Sequence, residues 1–390
     1  MSGAVAGLFS GLYGAGRSGA ALTDRSWLQA MLDFEAALAR AGVAEGAVPE
    51  PSAAAIADAC QAERFDLEAL GREAALHATP VVPLVAALRT AVGEPHGEYV
   101  HRGATSQDTI DTAAMLVAKR AAHTLLEDAD TAAAAAAAGA RRHVHTPMVG
   151  RTLLQQALPV SFGLVAAGWS HALADAAAGL RVVTESLPVQ LGGPVGSGSP
   201  VLATRVADEL GLAAPALAWH THRAPVARIA TALGILAGAL GKVARDVTLL
   251  ASQEVGELRE GGSETAGGSS AMSHKRNPVA SVSVLACSKR VPGLVATLLA
   301  AMEQEHQRAA GAWQSEWGTL NELLGLTGSA AAWGRELLEH LEVDAERMRD
   351  NLAELAAGGV EAAADPSAAL GDAELLIARA TANVDRGGKP

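Results

Sequence analysis

The chain has 390 residues, of which 49% are hydrophobic and 18% charged, so it can bury a large core and is too apolar to be disordered. Aromatic residues make up only 3%, and alanine is abundant, a composition that favours closely packed helices over sheets. The net charge of −12 argues against nucleic acid as the main partner, although a local cationic pocket can still bind an anionic substrate.

Helical patterns dominate the N-terminal half. Thr23 and Asp24 can cap a helix that carries an apolar face from Trp27 to Leu38. A second helix is expected from Ser106 through the alanine run to about His143, because alanine has the best helix propensity. A third is expected from Pro159 to Glu185.

The clearest long helix is predicted over residues 224–258, where apolar residues recur at steps of three and four. It would span about 50 Å at 1.5 Å per residue. A helix so long and apolar needs neighbours, which predicts a bundle and makes oligomerisation plausible. Another helix is expected over residues 279–305.

The two cysteines, Cys60 and Cys287, provide neither a disulfide framework nor a metal-binding spacing, which favours a reducing compartment such as the cytoplasm. No stretch of about 18 uninterrupted apolar residues is present, so we expect no membrane span. The first 20 residues lack a basic segment before an apolar one, and we expect no signal peptide.

The segment from Gly267 to Pro278 combines glycines, adjacent serines, a cation and an amide. Glycine lets the backbone approach a ligand closely. Lys275 and Asn277 can bind a carboxylate by charge and by amide hydrogen bonding. A serine held among such groups can transfer a proton at carbon. A polar surface loop is the alternative interpretation.

A second candidate segment runs from His101 to Asp108. Ser106 is placed as the N-cap of the following helix, with Asp108 in its first turn. This helix N-terminus, together with Thr105, can hold an anion, and His101 and Arg102 add hydrogen-bond donors. A plain capping motif is the alternative.

Two further segments carry candidate groups. Arg151 offers a bidentate fork for a carboxylate, although a surface arginine near a helix start is the alternative. His220 and His222 are two residues apart, ahead of the long helix. Because this spacing does not suit a metal, we favour substrate contact or helix entry and expect no metal or other cofactor.

These segments resemble the motifs of the fumarase/aspartase superfamily, and the resemblance covers roughly residues 8 to 355. Residues 268–278 are similar to the signature Gly-Ser-Ser-x-Met-Pro-x-Lys-x-Asn-Pro, with Ser273 in place of the first proline. Residues 101–108 resemble His-x-Gly-x-Thr-Ser-x-Asp. Residues 219–223 and 304–317 resemble the 3-carboxy-cis,cis-muconate cycloisomerase branch, which has glutamine at the position of His222.

The chain departs from the superfamily in its Gly-Arg-Thr region. Lyases such as adenylosuccinate lyase carry a general-acid histidine at the position of Leu153, and cycloisomerase-like sequences carry one at the position of Gln156. An amine leaving group needs a proton because its conjugate acid has a pKa of about 10, whereas a carboxylate, with an acid pKa of about 4, needs none. The two missing histidines therefore favour a cycloisomerase over an ammonia or AMP lyase.

The resemblance implies an all-α, fumarase/aspartase-like long-helix bundle with a shortened C-terminal domain. Its expected parts are an N-terminal helical domain over residues 1–100, a central bundle over 101–343 and a shortened C-terminal segment over 344–390. It also implies a homotetramer whose active sites are shared between chains, while the cysteine usage gives the expected cytoplasmic location. The expected partner is a small di- or tricarboxylate substrate, with no cofactor, nucleic acid or membrane.

The implied reaction is the intramolecular addition of a carboxylate to an alkene, giving a carboxymuconolactone in aromatic-acid catabolism. Another β-elimination lyase, nearest to adenylosuccinate lyase, and a non-catalytic helical scaffold are the alternatives. Ser269, which transfers the proton, and Lys275 are the candidate catalytic residues. The candidate substrate-binding residues are His101, Arg102, Thr105, Ser106, Arg151, Gln156, His220, Arg223, Ser270, Met272 and Asn277.

Overall fold

A computed structural model describes residues 7–262, 267–268, 272 and 275–385. These residues form an all-α protein, as the composition predicts. The α-helices, in chain order, are α1 Ser10–Tyr13, α2 Asp24–Ala44, α3 Glu50–Ala59, α4 Leu67–His77, α5 Val81–Val92, α6 Ser106–Arg142, α7 Phe162–Glu185, α8 Pro200–Leu210, α9 Ala224–Leu250, α10 Val279–Ala300, α11 Ala312–Glu339, α12 Ala345–Ala357 and α13 Ala373–Asp385. The strands are β1 Pro147–Thr152, β2 Gln155–Ser161, β3 Leu258–Glu260 and β4 Leu341–Val343.

Five long helices form the central bundle. Helix α6, with 37 residues, packs against α7 and α11, while α9 packs against α7, α10 and α11. The alanine run of α6 is buried here, with Ala132, Ala133, Ala136 and Ala137 almost fully enclosed. Because alanine combines high helix propensity with a small side chain, the neighbouring helices can approach α6 closely. The bundle carries the candidate segments at its two ends.

The terminal parts of the chain pack onto this bundle. Helix α2 begins at Asp24 as predicted, where the Thr23 hydroxyl accepts a hydrogen bond from the amide of Ser26. It lies against α6. The C-terminal helix α13 contacts α6 and α7 and buries Ile377 and Thr381, so it is an integral part of the same hydrophobic core.

Three predicted helix boundaries differ from the structure. Helix α9 ends at Leu250 instead of residue 258, because the chain turns through Gly256, which has φ 64°, into β3. Its 27 residues span about 40 Å. Helix α10 ends at Ala300, and the side-chain amide of Gln304 donates to the carbonyl of Ala301 just beyond it. Helix α7 begins at Phe162 because residues 155–161 form β2.

The antiparallel β1–β2 hairpin is an unpredicted feature. Thr152 pairs with Gln155, so Leu153 and Leu154 form a two-residue turn with φ values of 52° and 63°. Two positive φ values match the twist of a hairpin, although they cost leucine about 1–2 kcal/mol per residue. The two side chains are 96% and 77% exposed. The hairpin therefore ends in a strained, apolar tip.

Helices α9 and α10 are long and apolar enough to cross a membrane if only length and composition are considered. In the most apolar 18-residue stretch of each helix, 50% is buried within one chain for α9 but only 28% for α10. Val282 and Leu299 are among the exposed apolar side chains of α10. A single chain therefore leaves a long apolar surface uncovered along α10.

Candidate functional site

The first turn of α6 organises one group of candidate residues. Thr105, not Ser106, is the N-cap: its backbone amide donates to Oδ2 of Asp108 at 3.0 Å, and Ser106 is the first helical residue. The prediction of Ser106 as N-cap was therefore wrong by one residue, because Thr105 has extended backbone angles and completes a capping box with Asp108. Both residues still lie at the helix N-terminus, where an anion is stabilised.

Asp108 holds several parts of the chain together. Its buried carboxylate accepts hydrogen bonds from the amides of Gly192 and Gly193, at 3.0 and 2.9 Å, in addition to that of Thr105. The Nε2 atom of His220 lies 2.7 Å from Asp108 Oδ1. Three segments distant in sequence thus meet at one carboxylate, and the predicted residue His220 joins the first turn of α6.

Glycine is required where the 192–198 loop passes His220. A Cβ atom built on Gly192 would lie 2.4 Å from Cβ of Ala218 and 3.2 Å from Cε1 of His220. Any side chain there would displace one of these neighbours. The glycine-rich sequence thus lets the backbone pass directly beside the imidazole ring.

His101 belongs to the same group. Its Nδ1 atom lies 2.7 Å from Oε1 of Glu35, which also accepts from the hydroxyl of Thr109. Burial lowers the pKa of His101, but the negative charge of Glu35 and the hydrogen bond to it outweigh burial, so the pKa of His101 lies above its ordinary value. The backbone of His101 has φ 63°, a region uncommon for residues other than glycine.

Arg223 is close to this group but faces the protein interior. It is almost fully buried and forms ion pairs with both oxygens of Asp111 and with Glu316. Burial lowers the pKa of Arg223, but the two carboxylates outweigh burial, so the pKa of Arg223 lies above its ordinary value. The pKa of Glu316 is also raised, because the effect of its burial exceeds the lowering effect of Arg223. Trp313 donates its indole N–H to Asp111. With these partners, Arg223 supports the ends of α6, α9 and α11 in the single chain.

Arg308 is a candidate that the sequence interpretation missed. Its guanidinium donates to the hydroxyl of Thr105 at 2.8 Å and to the carbonyl of Pro194 at 3.0 Å. It is therefore a partly buried cation at the N-terminus of α6. Arg102, by contrast, is exposed and stacks on Tyr99 with its guanidinium carbon 5.3 Å from the ring centroid. Because residue 308 lies about 200 positions from Thr105, only the resemblance of residues 304–317 pointed to this region.

Arg151 and Gln156 form a cross-strand pair in the hairpin. The guanidinium of Arg151 makes the bidentate carboxylate contact expected of it, but its partner is Glu257 of the same chain, at 2.8 and 2.9 Å. The amide of Asn351 donates to the same carboxylate. Gln156 is exposed. In the single chain, Arg151 fixes the hairpin to the far end of α9.

The segment before α10 contains the remaining candidates. Ser269 and Ser270 lie outside the described residues. Lys275 and Met272 are exposed, and the amide of Lys275 donates to the carbonyl of Met272. Asn277 donates its backbone and side-chain N–H groups to the carbonyl of Gly267.

Gly267 has φ 74°, and a Cβ atom there would lie 2.5 Å from the carbonyl oxygen of Asn277. Only glycine can occupy this position without a shift of the backbone. The beginning and the end of the motif are therefore held together.

The candidates fall into two groups at opposite ends of α9. The first group surrounds Arg223, which directly precedes α9. The second surrounds Glu257, whose amide donates to the carbonyl of Leu250, the last residue of α9. Because α9 is about 40 Å long, one chain does not bring Thr105 and Asn277 together.

Comparisons with known proteins agree with the motifs. The model of the Lyase family matches residues 16–293. A 3-carboxy-cis,cis-muconate cycloisomerase of Bradyrhizobium diazoefficiens is 46% identical over 362 residues, covering 90% of this chain and 80% of that protein. Nitrosuccinate lyase of Streptomyces davaonensis is 43% identical over 404 residues, covering 97% of this chain and 85% of that protein. The crystal structure of 3-carboxy-cis,cis-muconate lactonizing enzyme from Pseudomonas putida matches with a TM-score of 0.88 and 36% identity, covering 97% of this chain and 99% of that one.

Proposed function

The chain belongs to the Lyase family, and we propose that it is a cycloisomerase that converts 3-carboxy-cis,cis-muconate to a carboxymuconolactone. The similarity to cycloisomerases extends over most of the chain. The structural observation that carries the proposal is the hairpin tip, where Leu153 presents an exposed alkyl group and no acid. Lactone formation suits such a site, because a carboxylate is both the nucleophile and, in reverse, the leaving group.

The proposed reaction needs a single proton. A substrate carboxylate forms a C–O bond to an alkene carbon, and the π electrons move onto the neighbouring carboxylate as an aci-carboxylate. The hydroxyl of Ser269 then gives its proton to the adjacent carbon and regains one from solvent. Donors fixed around the developing charge should provide most of the rate acceleration. We assign Lys275 and Asn277 to that carboxylate, and Thr105, Ser106, His101 and Arg102 to another anionic end of the substrate.

The proposal includes a homotetramer with active sites shared between chains. It is supported by the separation of Thr105 and Asn277 along α9, since a site that uses both needs more than one copy. The apolar surface of α10 provides an interface for such copies. Sharing also offers a role for Arg151, Gln156, Ser270 and Met272 beside residues of another copy.

We place the enzyme in the cytoplasm, because the two cysteines are buried and unpaired. The expected domain boundaries after residues 100 and 343 belong to the same proposal. Wherever these boundaries fall, helix α13 packs onto the central bundle, since its apolar face lies in the core.

The test is to mix the protein with 3-carboxy-cis,cis-muconate and follow the loss of the diene absorbance. We expect a fast decay that Ser269→Ala abolishes while circular dichroism of the variant remains unchanged. Unchanged substrate would contradict the proposal. Cleavage of adenylosuccinate would then support the amine-lyase alternative, and inactivity toward both would support a non-catalytic scaffold.

Nitrosuccinate elimination is a second candidate, favoured by the 97% coverage of this chain in the match to nitrosuccinate lyase. Elimination from nitrosuccinate would release nitrite and leave fumarate. Nitrite, like a carboxylate, is a weak base and leaves without a general acid, so the missing histidine does not separate the two reactions. A parallel assay of fumarate and nitrite formation does: the proposed cycloisomerase should lactonise carboxymuconate with a much higher kcat/KM than it cleaves nitrosuccinate.

A further inference from the structure

His220 has an unusual combination of burial and incomplete hydrogen bonding. Its side chain is only 5% exposed, and its Nε2 atom lies 2.7 Å from Asp108. Its Nδ1 atom has no hydrogen-bond partner among the described residues and lies 3.8 Å from the Cβ position of Gly196, in the exposed part of the 192–198 loop. One ring nitrogen is thus fixed inside the protein and the other is directed toward an exposed glycine.

The surroundings determine which nitrogen carries the hydrogen. Both oxygens of Asp108 accept from backbone N–H groups, of Gly192 on Oδ1 and of Gly193 and Thr105 on Oδ2. A carboxylate used in this way is an acceptor, so the Nε2 atom of His220 is the donor. In the neutral ring, Nδ1 then presents a lone pair toward the loop.

The position of the ring is well supported. The backbone carbonyl of His220 accepts from the side-chain amide of Gln107 at 2.7 Å. The amide of Trp219 donates to Gln190, and the guanidinium of Arg223 lies over the Trp219 ring. These bonds fix the backbone from which the ring projects, and the Nε2–Asp108 bond fixes the orientation of the ring itself.

Several charged groups surround this ring. Facing His220 are Asp108 from α6 and, through Arg223, the carboxylates of Asp111 and Glu316. Two further charged groups belong to this region: Arg308, which is bonded to Thr105 and Pro194 across the loop, and His101, which pairs with Glu35. Asp111 and Glu316 thus share the positive charge of Arg223, while Asp108 accepts from His220 and from backbone amides.

A bare Nδ1 lone pair repels a carboxylate, whereas a protonated Nδ1–H donates to it. We propose that His220 takes up one proton from solvent when a substrate carboxylate binds beside the 192–198 loop, forming the chain Asp108 carboxylate, imidazolium, substrate carboxylate. An N–H bond forms at Nδ1 as the bond to hydrogen in hydronium or a buffer acid breaks, and no bond to carbon changes. Asp108 is the positioning residue, because it fixes the ring orientation. The inference rests on the proposed function, in that it assigns a carboxylate subsite of the same active site.

Proton uptake can be measured without turnover. Fumarate is suitable, because carboxylic acids have pKa values of about 4 and it is fully ionised at pH 7.5. Calorimetric titration of fumarate into the full-length protein, in buffers with different ionisation enthalpies, gives the number of protons taken up per site. We expect up to one proton for the wild type, and a fumarate dissociation constant that rises up to tenfold per pH unit in the alkaline range.

His220→Gln should abolish the uptake, since an amide can still donate to Asp108 but cannot bind a proton. His222→Gln is the matched control, because it removes an exposed histidine two residues away and should leave the uptake unchanged. Binding with no proton uptake by the wild type would overturn the inference and leave the proposed function intact. Uptake that persists in His220→Gln and disappears in His222→Gln or His101→Gln would also overturn it.

Absence of fumarate binding to the wild type would overturn the inference too, and the diene assay would then decide the proposed function by itself. If His220→Gln fails to fold, an NMR measurement on the wild type remains. The ¹⁵N shifts of His220 should identify the Nε2–H form in the free protein and a doubly protonated ring in the fumarate complex. A neutral ring in the complex would contradict the proposal.

Discussion

The guanidinium of Arg223 donates to both oxygens of Asp111, at 2.7 and 3.0 Å, and both side chains are almost completely buried. The pair joins the residue before α9 to the first turns of α6. Because Glu316 from α11 contacts the same guanidinium, three helix ends depend on one cation. A buried ion pair of this kind is costly to break, since the remaining partner stays charged and enclosed.

Arg223→Ala should lower the free energy of unfolding by about 3–5 kcal/mol, because it leaves two buried carboxylates without their cation. Urea unfolding followed by circular dichroism measures the change. Arg72→Ala is the control, since Arg72 pairs with Glu68 on the surface of α4, and exposed pairs contribute about 0–1 kcal/mol. Equal losses in the two variants would show that the buried network does not stabilise the fold.

His101 predicts a pH dependence of stability. Its pKa in the folded protein is raised, so its pairing with Glu35 stabilises fully below the unfolded pKa of about 6.5 and is lost as pH rises through the higher folded value. The difference in unfolding free energy between the wild type and His101→Gln should therefore be largest near pH 5.5 and decline toward pH 8.5. Urea titrations across this range measure it.

The exposed His123→Gln on α6 should show a much weaker trend. If the difference in unfolding free energy between the wild type and His101→Gln grew with pH, the predicted direction of the pH dependence would be wrong.

Arg308 should contribute to substrate binding. Arg308→Ala removes a charged donor that contacts Thr105, and hydrogen bonds to charged groups contribute about 1.5–3 kcal/mol, so kcat/KM should fall roughly 10- to 100-fold. Steady-state kinetics should show the loss mainly in KM. Arg72→Ala, which removes an exposed arginine of α4, should retain wild-type kinetics. Unchanged kinetics for Arg308→Ala would remove this residue from the site.

Shared active sites predict complementation. Thr105→Ala and Asn277→Ala change the two groups at opposite ends of α9, and each variant alone should be nearly inactive. If each site takes these residues from different chains, random mixing after reversible dissociation restores about one quarter of the sites. Activity of the mixture measures this fraction. A mixture no more active than its components would contradict shared sites.

The hairpin tip should respond to better turn residues. Leu154→Gly relieves a positive φ and should stabilise the isolated chain by about 1 kcal/mol. Removing the exposed side chain should weaken any assembly that covers it. Analytical ultracentrifugation and thermal unfolding at low protein concentration measure the two effects. A loss of stability in the dissociated chain would show that Leu154 packs favourably within its own subunit.

The long helices could be predicted from sequence because their apolar periodicity and caps are local signals, as for Thr23 and α2. The hairpin could not, since Leu153 and Leu154 are poor turn residues and give no signal for positive φ. The grouping of His220 with Thr105 around Asp108 depends on contacts across more than 100 positions. Motif resemblance located Arg223 and Arg151, but only the structure shows that carboxylates of their own chain already occupy them.

The carboxylate of Glu260 accepts from the amides of Ala280 and Ser281, at 2.9 and 2.8 Å, while Asn277 bonds to Gly267. The described residues at the two ends of the serine-containing segment are therefore clasped to each other beside the start of α10. Sequence changes between the clasped residues need not alter the packing of α9 or α10. The same helical scaffold can in this way carry different reactive segments between two fixed ends.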